Sequence, residues 1–261
     1  MTISLTRIGN ATLDFFDQVG SMALFLGRVF VLCFKPPFRI KLLLEQMEFV
    51  GVGSLFIVLL TGTFSGAVFT LQSIAGLEKV GMENIVGSTV MLAVTRELAP
   101  VLTSLMVSGR VGSAMATELG TMRVSEQIDA MEVMAVDPIQ YLVVPRIIAA
   151  SIMVPALSIL FVLVAGMGSY AVAVGLMGLD EGAFMARIEW LIDPYDFLHG
   201  LTKSVFFGVL VALVGCYKGF YATGGARGVG NATTQAVVIG SISIFVLDYI
   251  LTTILLIWQP T

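Results

Sequence analysis

The sequence predicts an all-α integral membrane protein, with an N-terminal interfacial amphipathic helix followed by about five transmembrane helices. Three observations carry this. The 261 residues are 57% hydrophobic and only 12% charged, where a soluble domain has about 25% charged residues. The mean hydropathy is +0.96. Several apolar stretches reach the ~20 residues needed to cross a ~30 Å hydrocarbon core. A soluble enzyme or disordered chain would need far more polar surface, and a nucleic-acid binder would be basic. Here 14 Lys+Arg against 18 Asp+Glu leave a net charge of −4. Cys33 and Cys216 lie far apart in apolar runs, which gives neither a metal-binding nor a redox spacing and argues against a disulfide framework.

Residues 12–34 read as an amphipathic helix. Asp14, Asp17, Gln18, Ser21 and Arg28 form a polar stripe, with Leu13, Phe16, Ala23 and Phe30 on the other side at helical spacing. The apolar run Met22–Phe34 is short and holds Arg28, so the helix is expected to lie in the interface; a tilted first span is the alternative. No secretory leader is expected, because the first 20 residues lack a basic start feeding an apolar run. Pro36-Pro37 end the helix, and Arg39, Lys41, Glu45 and Glu48 mark a second short interfacial piece. Residues 1–48 thus form an interfacial region and 49–258 the transmembrane domain.

The expected spans are 49–75, 85–109, 141–176, 197–217 and 234–258. The third is long and holds Pro145 and Pro155. Orientation follows the Lys and Arg of short loops. Arg7, Arg28, Lys35, Arg39, Lys41, Arg123, Arg146, Lys218 and Arg227 fall on one side; Lys79, Arg187 and Lys203 fall on the other. The N-terminus is therefore expected in the cytoplasm and the C-terminus outside. No internal repeat is evident, against an inverted-repeat carrier.

The expected loop from Arg110 to Ile139 concentrates charge in Glu118, Arg123, Glu126, Asp129, Glu132 and Asp137. Within it, Ser125 reads as the N-cap of a short helix with Glu126 in its first turn. Ile128, Met131, Val133 and Met134 give that helix an apolar edge, and Pro138 is expected to stop it. Pattern alone leaves two readings open, a solvated loop helix and a docking helix for a cytoplasmic partner.

Arg96 and Glu97 lie about 11 residues into the second span, roughly 17 Å deep, where ionisable groups are costly and face a protein interior or a water cavity. Pro100 withdraws the donor that the Arg96 carbonyl would use, which predicts a distortion there. One reading is a structural charge pair joining helices; the other is that both residues line or gate a lipid cavity. Val68, Phe69, Leu71, Ile74 and Leu77 end the first span and are candidate walls for such a cavity, or plain lipid-facing residues. Gly62-x-x-x-Gly66 and Gly215-x-x-x-Gly219 permit close helix contact, within one chain or between two. Asp248 is a lone acid in the fifth span and is expected to pair within the fold. His199, the only histidine, cannot by itself make a metal site, and no catalytic arrangement is readable. Thr202-Lys203-Ser204 lacks the glycine-rich loop that cradles phosphate, so ATP hydrolysis by this chain is not expected, which fits a permease and a channel alike. The Asn231-Ala-Thr sequon is a chance-level match.

The ordered segments Thr95–Thr103 (TRELAPVLT), Ser108–Ala114 (SGRVGSA), Glu118–Met122 (ELGTM), Ser125–Pro138 (SEQIDAMEVMAVDP) and Gly219–Thr234 (GFYATGGARGVGNATT) resemble the MlaE (YrbE) family of ABC-transporter permeases over nearly the whole chain. The resemblance implies a homodimer in the bacterial inner membrane. It implies partners as well: a cytoplasmic MlaF-like ATPase, its MlaB-like STAS protein and an MlaD-like periplasmic ring of MCE domains. It implies movement of glycerophospholipid between inner and outer membranes, which maintains outer-membrane lipid asymmetry. It implies no cofactor on this chain, with ATP bound by the ATPase. Under the same resemblance, residues 125–134 form the coupling helix (Ser125, Glu126, Ile128, Asp129, Met131 and Met134), with Glu126 and Asp129 as polar contacts and Met131 and Met134 as apolar anchors. The residues leave two other classes to weigh: a membrane-embedded lipid-modifying enzyme, which would show clustered acids at metal-binding spacing, and a channel or ion-coupled carrier. Transport direction and headgroup preference are not legible.

Overall fold

The computed structural model describes residues 2–37 and 39–257. The side chains of residues 2–12, 14, 15, 80 and 84 fall outside that description, and with them Arg7 and Asp14. The described residues form helices and no strand: α1 (Thr2–Cys33), α2 (Ile40–Val50), α3 (Leu55–Leu77), α4 (Val86–Ala93), α5 (Ala99–Val107), α6 (Ser113–Val124), α7 (Gln127–Val133), α8 (Val144–Tyr170), α9 (Glu181–Leu191), α10 (Pro194–Phe220) and α11 (Gly225–Ile257). Six helical stretches among them are long and apolar enough to cross a membrane: Phe16–Cys33, Ile40–Leu77, Val86–Val124, Ile139–Leu176, Pro194–Phe220 and Gly225–Ile257.

α1 qualifies by length and composition, yet its polar stripe faces the end of the bundle. Lys218 donates to Gln18 (3.2 Å), Ser21 and Tyr217 share a 2.7 Å hydrogen bond, and Arg28 pairs with Asp137 (3.2 Å). Phe25 packs edge-on against Tyr217 and Tyr221. Tyr217 and Lys218 close α10 and Asp137 precedes α8, so the contacts of α1 gather at one end of the bundle. Leu13, Phe16 and Phe30, the predicted apolar side, are exposed. These contacts set α1 across that end of the bundle, with its apolar side turned away from it.

The second span departs most from expectation. It does not end at Gly109 but runs unbroken through α4, α5 and α6 to Val124, so half of the expected 110–139 loop is helix. Two widened π turns, Val94–Leu98 and Ser108–Gly112, interrupt the α geometry. The first runs directly into Pro100. The amide of Ala99 bonds back five residues to Val94, so the one-residue shift absorbs the missing proline donor without ending the helix. The π turn Ile139–Val143 runs into Pro145 in the same way.

Close approach at glycine sets the helix packing. A Cβ on Gly66 would lie 2.1 Å from the Ala165 carbonyl oxygen, and one on Gly215 would lie 2.8 Å from that of Gly112. Both small-residue motifs therefore serve contacts inside one chain, α3 on α8 and α10 on α6. Such van der Waals contact drives helix association where lipid is as apolar as the side chains.

Candidate functional site

Six ionisable residues of the spans gather into one cluster built by three elements. The π turn of the second span supplies Arg96 and Glu97, α10 supplies Asp196, His199 and Lys203, and α11 supplies Asp248. Arg96 Nε donates to Asp196 Oδ1 (2.5 Å). The other Asp196 oxygen accepts from the Asp193 amide (2.9 Å), completing a reciprocal cap that starts α10 after Asp193-Pro194. Lys203, fully buried, donates to Glu97 Oε2 (2.5 Å) and lies 2.9 Å from Asp248 Oδ1, an ion pair without hydrogen-bond alignment. His199 is buried beside them, and neither ring nitrogen has a protein partner.

Adjacent residues on a helix point ~100° apart, so Arg96 and Glu97 each find a partner on another helix rather than each other. The widened turn presents both toward α10. Gly200 closes on the Thr95 carbonyl and Gly208 on that of Ala150. Eight residues of α10 separate those contacts, which puts Thr95 level with about residue 158 of α8. That is the middle of the Ile139–Leu176 rod. Pairing and shared hydrogen bonds are what make such charges tolerable in a low dielectric.

A separate apolar groove of about 580 Å³ opens on the surface between α3 and α5. Leu60, Phe64, Val68, Phe69, Leu98 and Leu102 line it, with Thr61, Ser65 and Gln72 as its polar members. Of the predicted wall residues, Val68 and Phe69 lie in it. Leu71 is exposed outside it, Ile74 is buried in the core, and Leu77 packs against the core. Only their place at the end of the first span marks these three, and they lie outside this groove. The groove holds neither Arg96 nor Glu97, but Leu98 and Leu102 follow them on the same rod. Among the described residues, no three His, Cys, Asp or Glu side chains gather to hold a metal ion.

At the other end of the rod the chain turns sharply. Ser125 is not the N-cap of α7: its hydroxyl donates back to the Thr121 carbonyl (2.8 Å) and closes α6. Glu126 takes the N-cap position with φ +60°, in the left-handed region, and makes no side-chain cap. Arg123 bonds Asp129 (2.5 Å) across this elbow, so the Asp129 carboxylate is engaged within the chain. Pro138 does not stop α7 either. The helix ends on Ala135 at φ +59°, with Val136 N bonding Met131 O (2.9 Å) and Ala135 N bonding Glu132 O (3.0 Å), a Schellman closure. Asp137 then caps the next helix by accepting from the Ile139 amide (2.9 Å), with Pro138 ahead of it.

Ile128 and Met131 turn inward: Ile128 is fully buried, and Met131 packs against the core. The outward face is Glu126, Met134 and Val133, the last 89% exposed. Val133 stood on the predicted apolar edge but not among the predicted contacts; its 89% exposure singles it out here. Behind the elbow, buried Arg146 pairs with Glu118 (2.7 Å), tying α6 to the start of α8. Arg146 and Lys203 are thus interior charges, and without them the basic asymmetry becomes eight against two (Lys79, Arg187).

The fold is that of a polytopic helical membrane protein: broken spans, a buried charge cluster, an open apolar groove and an exposed helical elbow at one end. The family model described as "Permease MlaE" matches residues 43–254, and the chain belongs to the MlaE permease family. It is 41% identical over 245 residues to a probable ABC transporter permease protein of Rickettsia felis (94% of this chain, 95% of the relative). It is 38% identical over 254 residues to the intermembrane phospholipid transport system permease protein MlaE of Haemophilus influenzae (96% and 97%). It is also 38% identical over 231 residues to the chloroplastic protein trigalactosyldiacylglycerol 1 of Arabidopsis thaliana (88% and 66%).

Proposed function

We propose that this chain is the membrane subunit of an ABC transporter that moves glycerophospholipid between the inner and outer membranes and so maintains outer-membrane lipid asymmetry. It would work as a homodimer in the bacterial inner membrane with its N-terminus in the cytoplasm and its C-terminus in the periplasm. Its partners would be a separate ATPase carrying a STAS protein and a periplasmic ring of MCE domains. The chain itself is not an enzyme and binds no cofactor; ATP binds the ATPase.

The observation that carries this reading is the continuity of one helix. The Val86–Val124 rod holds Arg96 and Glu97 of the charge cluster, supplies Leu98 and Leu102 to the groove, and ends in the elbow that carries α7. A displacement of α7 by a closing ATPase reaches the groove through that rod, with the two π turns as its compliant points. The nucleotide state biases the permease only by its different affinity for the two arrangements. The relatives named above, one of them a phospholipid-transport permease, support the lipid as cargo.

The test is Glu126→Lys with Val133→Asp in the full chain. Both side chains point outward, so membrane insertion and thermal midpoint should hold while ATPase association falls about tenfold or more. Unchanged association overturns the docking role of α7. Arg96→Ala and Glu97→Ala test the cluster: full lipid transport in both, with normal assembly, removes it from the transport path.

A further inference from the structure

At the end of the bundle where α1 lies, a crevice of about 80 Å³ separates the end of α1, the Pro36-Pro37 link, the start of α2 and the start of α8. Its walls are mainly apolar, with Leu32, Leu43, Val144 and Ile148 among them, and Lys35 and Arg39 stand in its lining. The setting of these cations is prepared. The Gln140 amide donates to the Lys35 carbonyl (2.8 Å) and fixes the backbone there. The Arg39 guanidinium lies over the Tyr141 ring, 4.1 Å from its centroid. Neither cation has a carboxylate partner among the described residues, whereas Arg28, Arg96, Arg123, Arg146 and Lys203 all do. Lys41 follows two residues after Arg39, and the first turn of α2 carries no acid. The crevice thus holds two cations that no carboxylate among the described residues pairs with.

We propose that this crevice binds one anionic phospholipid of the leaflet it opens on, in addition to any lipid that is transported. On the proposed orientation that leaflet is the cytoplasmic one, where anionic lipid draws juxtamembrane cations. The phosphate meets Lys35 and Arg39. A volume of about 80 Å³ cannot enclose an acyl chain, so it seats the glycerol end. The tails run along Ile40 and Leu44, one helical turn apart and both exposed. Such a lipid would staple α1 and α2 to α8 and hold the interfacial region in register with the spans.

The experiment is lipid retention by the full-length protein in detergent, counted by native mass spectrometry after incubation with phosphatidylglycerol or phosphatidylcholine. The wild-type chain should retain one phosphatidylglycerol with preference over phosphatidylcholine. Lys35→Gln with Arg39→Gln should weaken that retention about tenfold or more. Leu43→Trp, which fills the crevice and leaves both cations, should do the same and decides the matter if the double variant fails to fold. Val68→Trp, in the other groove, should leave the retained lipid in place, which separates this site from the transport reading. Three results overturn the proposal: equal retention by the wild-type chain and both crevice variants, loss of the bound lipid in Val68→Trp, and displacement by millimolar inorganic phosphate. The last would mark a simple anion site.

Discussion

Lys203 is the most deeply buried cation among the described residues. It is wholly buried and held between Glu97 and Asp248. Removing one partner of a buried ionic network costs about 3–5 kcal/mol, because the remaining charge stays buried and unpaired. Glu97 is 40% exposed, so the lower end applies. Lys203→Met should therefore lower the thermal midpoint by several degrees, and adding Glu97→Gln and Asp248→Asn should restore most of the loss. A triple variant no more stable than Lys203→Met would show that the lysine acts by packing and not by charge. Two glycines make a matched comparison. At Gly66 a methyl group meets the Ala165 backbone at 2.1 Å, and at Gly53 it meets the Arg110 guanidinium at 2.2 Å. The backbone of a packed helix cannot yield, whereas a long side chain swings aside. Gly66→Ala should cost at least the ~1–3 kcal/mol typical of overpacking. Gly53→Ala should cost about 1 kcal/mol, the hydrogen bonds Arg110 gives to the Phe49 carbonyl and Ser54. Thermal unfolding of the two variants in the same detergent reads the difference.

Among the elements, the elbow between α6 and α7 holds its shape by means the sequence signals only in part. The capping pattern at Ser125 reads as a helix start, but the left-handed turn comes one residue later, at Glu126, and the serine closes the preceding helix. Glu126→Gly relieves a left-handed φ at a non-glycine residue. It should leave stability level or slightly higher by about 1 kcal/mol, measured as thermal midpoint. Arg123→Gln should instead loosen the elbow. With Asp129 released, amide hydrogen exchange across 125–134 should quicken while that of α8 stays unchanged. Equal protection in the variant would mean that the 2.5 Å pair does nothing for the turn. The ion pair is half-exposed, so its contribution to global stability should stay within about 1 kcal/mol.

For the molecule as a whole, the apolar groove and the exposed elbow draw on different parts of one rod. If the rod transmits movement, a change at either end must be felt at the other. Val68→Trp, filling the groove, should reduce lipid transport by the assembled transporter and also alter its ATPase rate. Transport and ATPase rates both at the wild-type level would separate groove from elbow and remove the rod as the transmitter. Arg28→Gln removes an ion pair that joins α1 to the residue capping the next helix. Because that pair is largely exposed, it should leave stability unchanged. It tests whether α1 is fixed by Phe25, Val29 and Leu32, which are buried at helical spacing.

The sequence alone determined the membrane setting, the all-helical class and the family, since these rest on composition, apolar length and ordered motifs that survive without knowing which helices touch. It also put Arg96 and Glu97 inside a span rather than in a loop, because apolar length is a property of a single helix. Tertiary structure decided the rest. Arg96 and Glu97 meet Asp196 and Lys203 roughly a hundred residues away, a pairing that no local pattern encodes. The small-residue motifs turned out to serve the chain's own helices, and Ile74, Leu71 and Leu77 fell outside the groove, because a helix apolar on every side does not declare which face will be covered. The second span ran on to Val124 for a different reason. Charge density looks like a loop in sequence, but α6 satisfies its charges against neighbours such as Arg146, and a helix whose polar groups have partners need not stop where its hydrophobicity does.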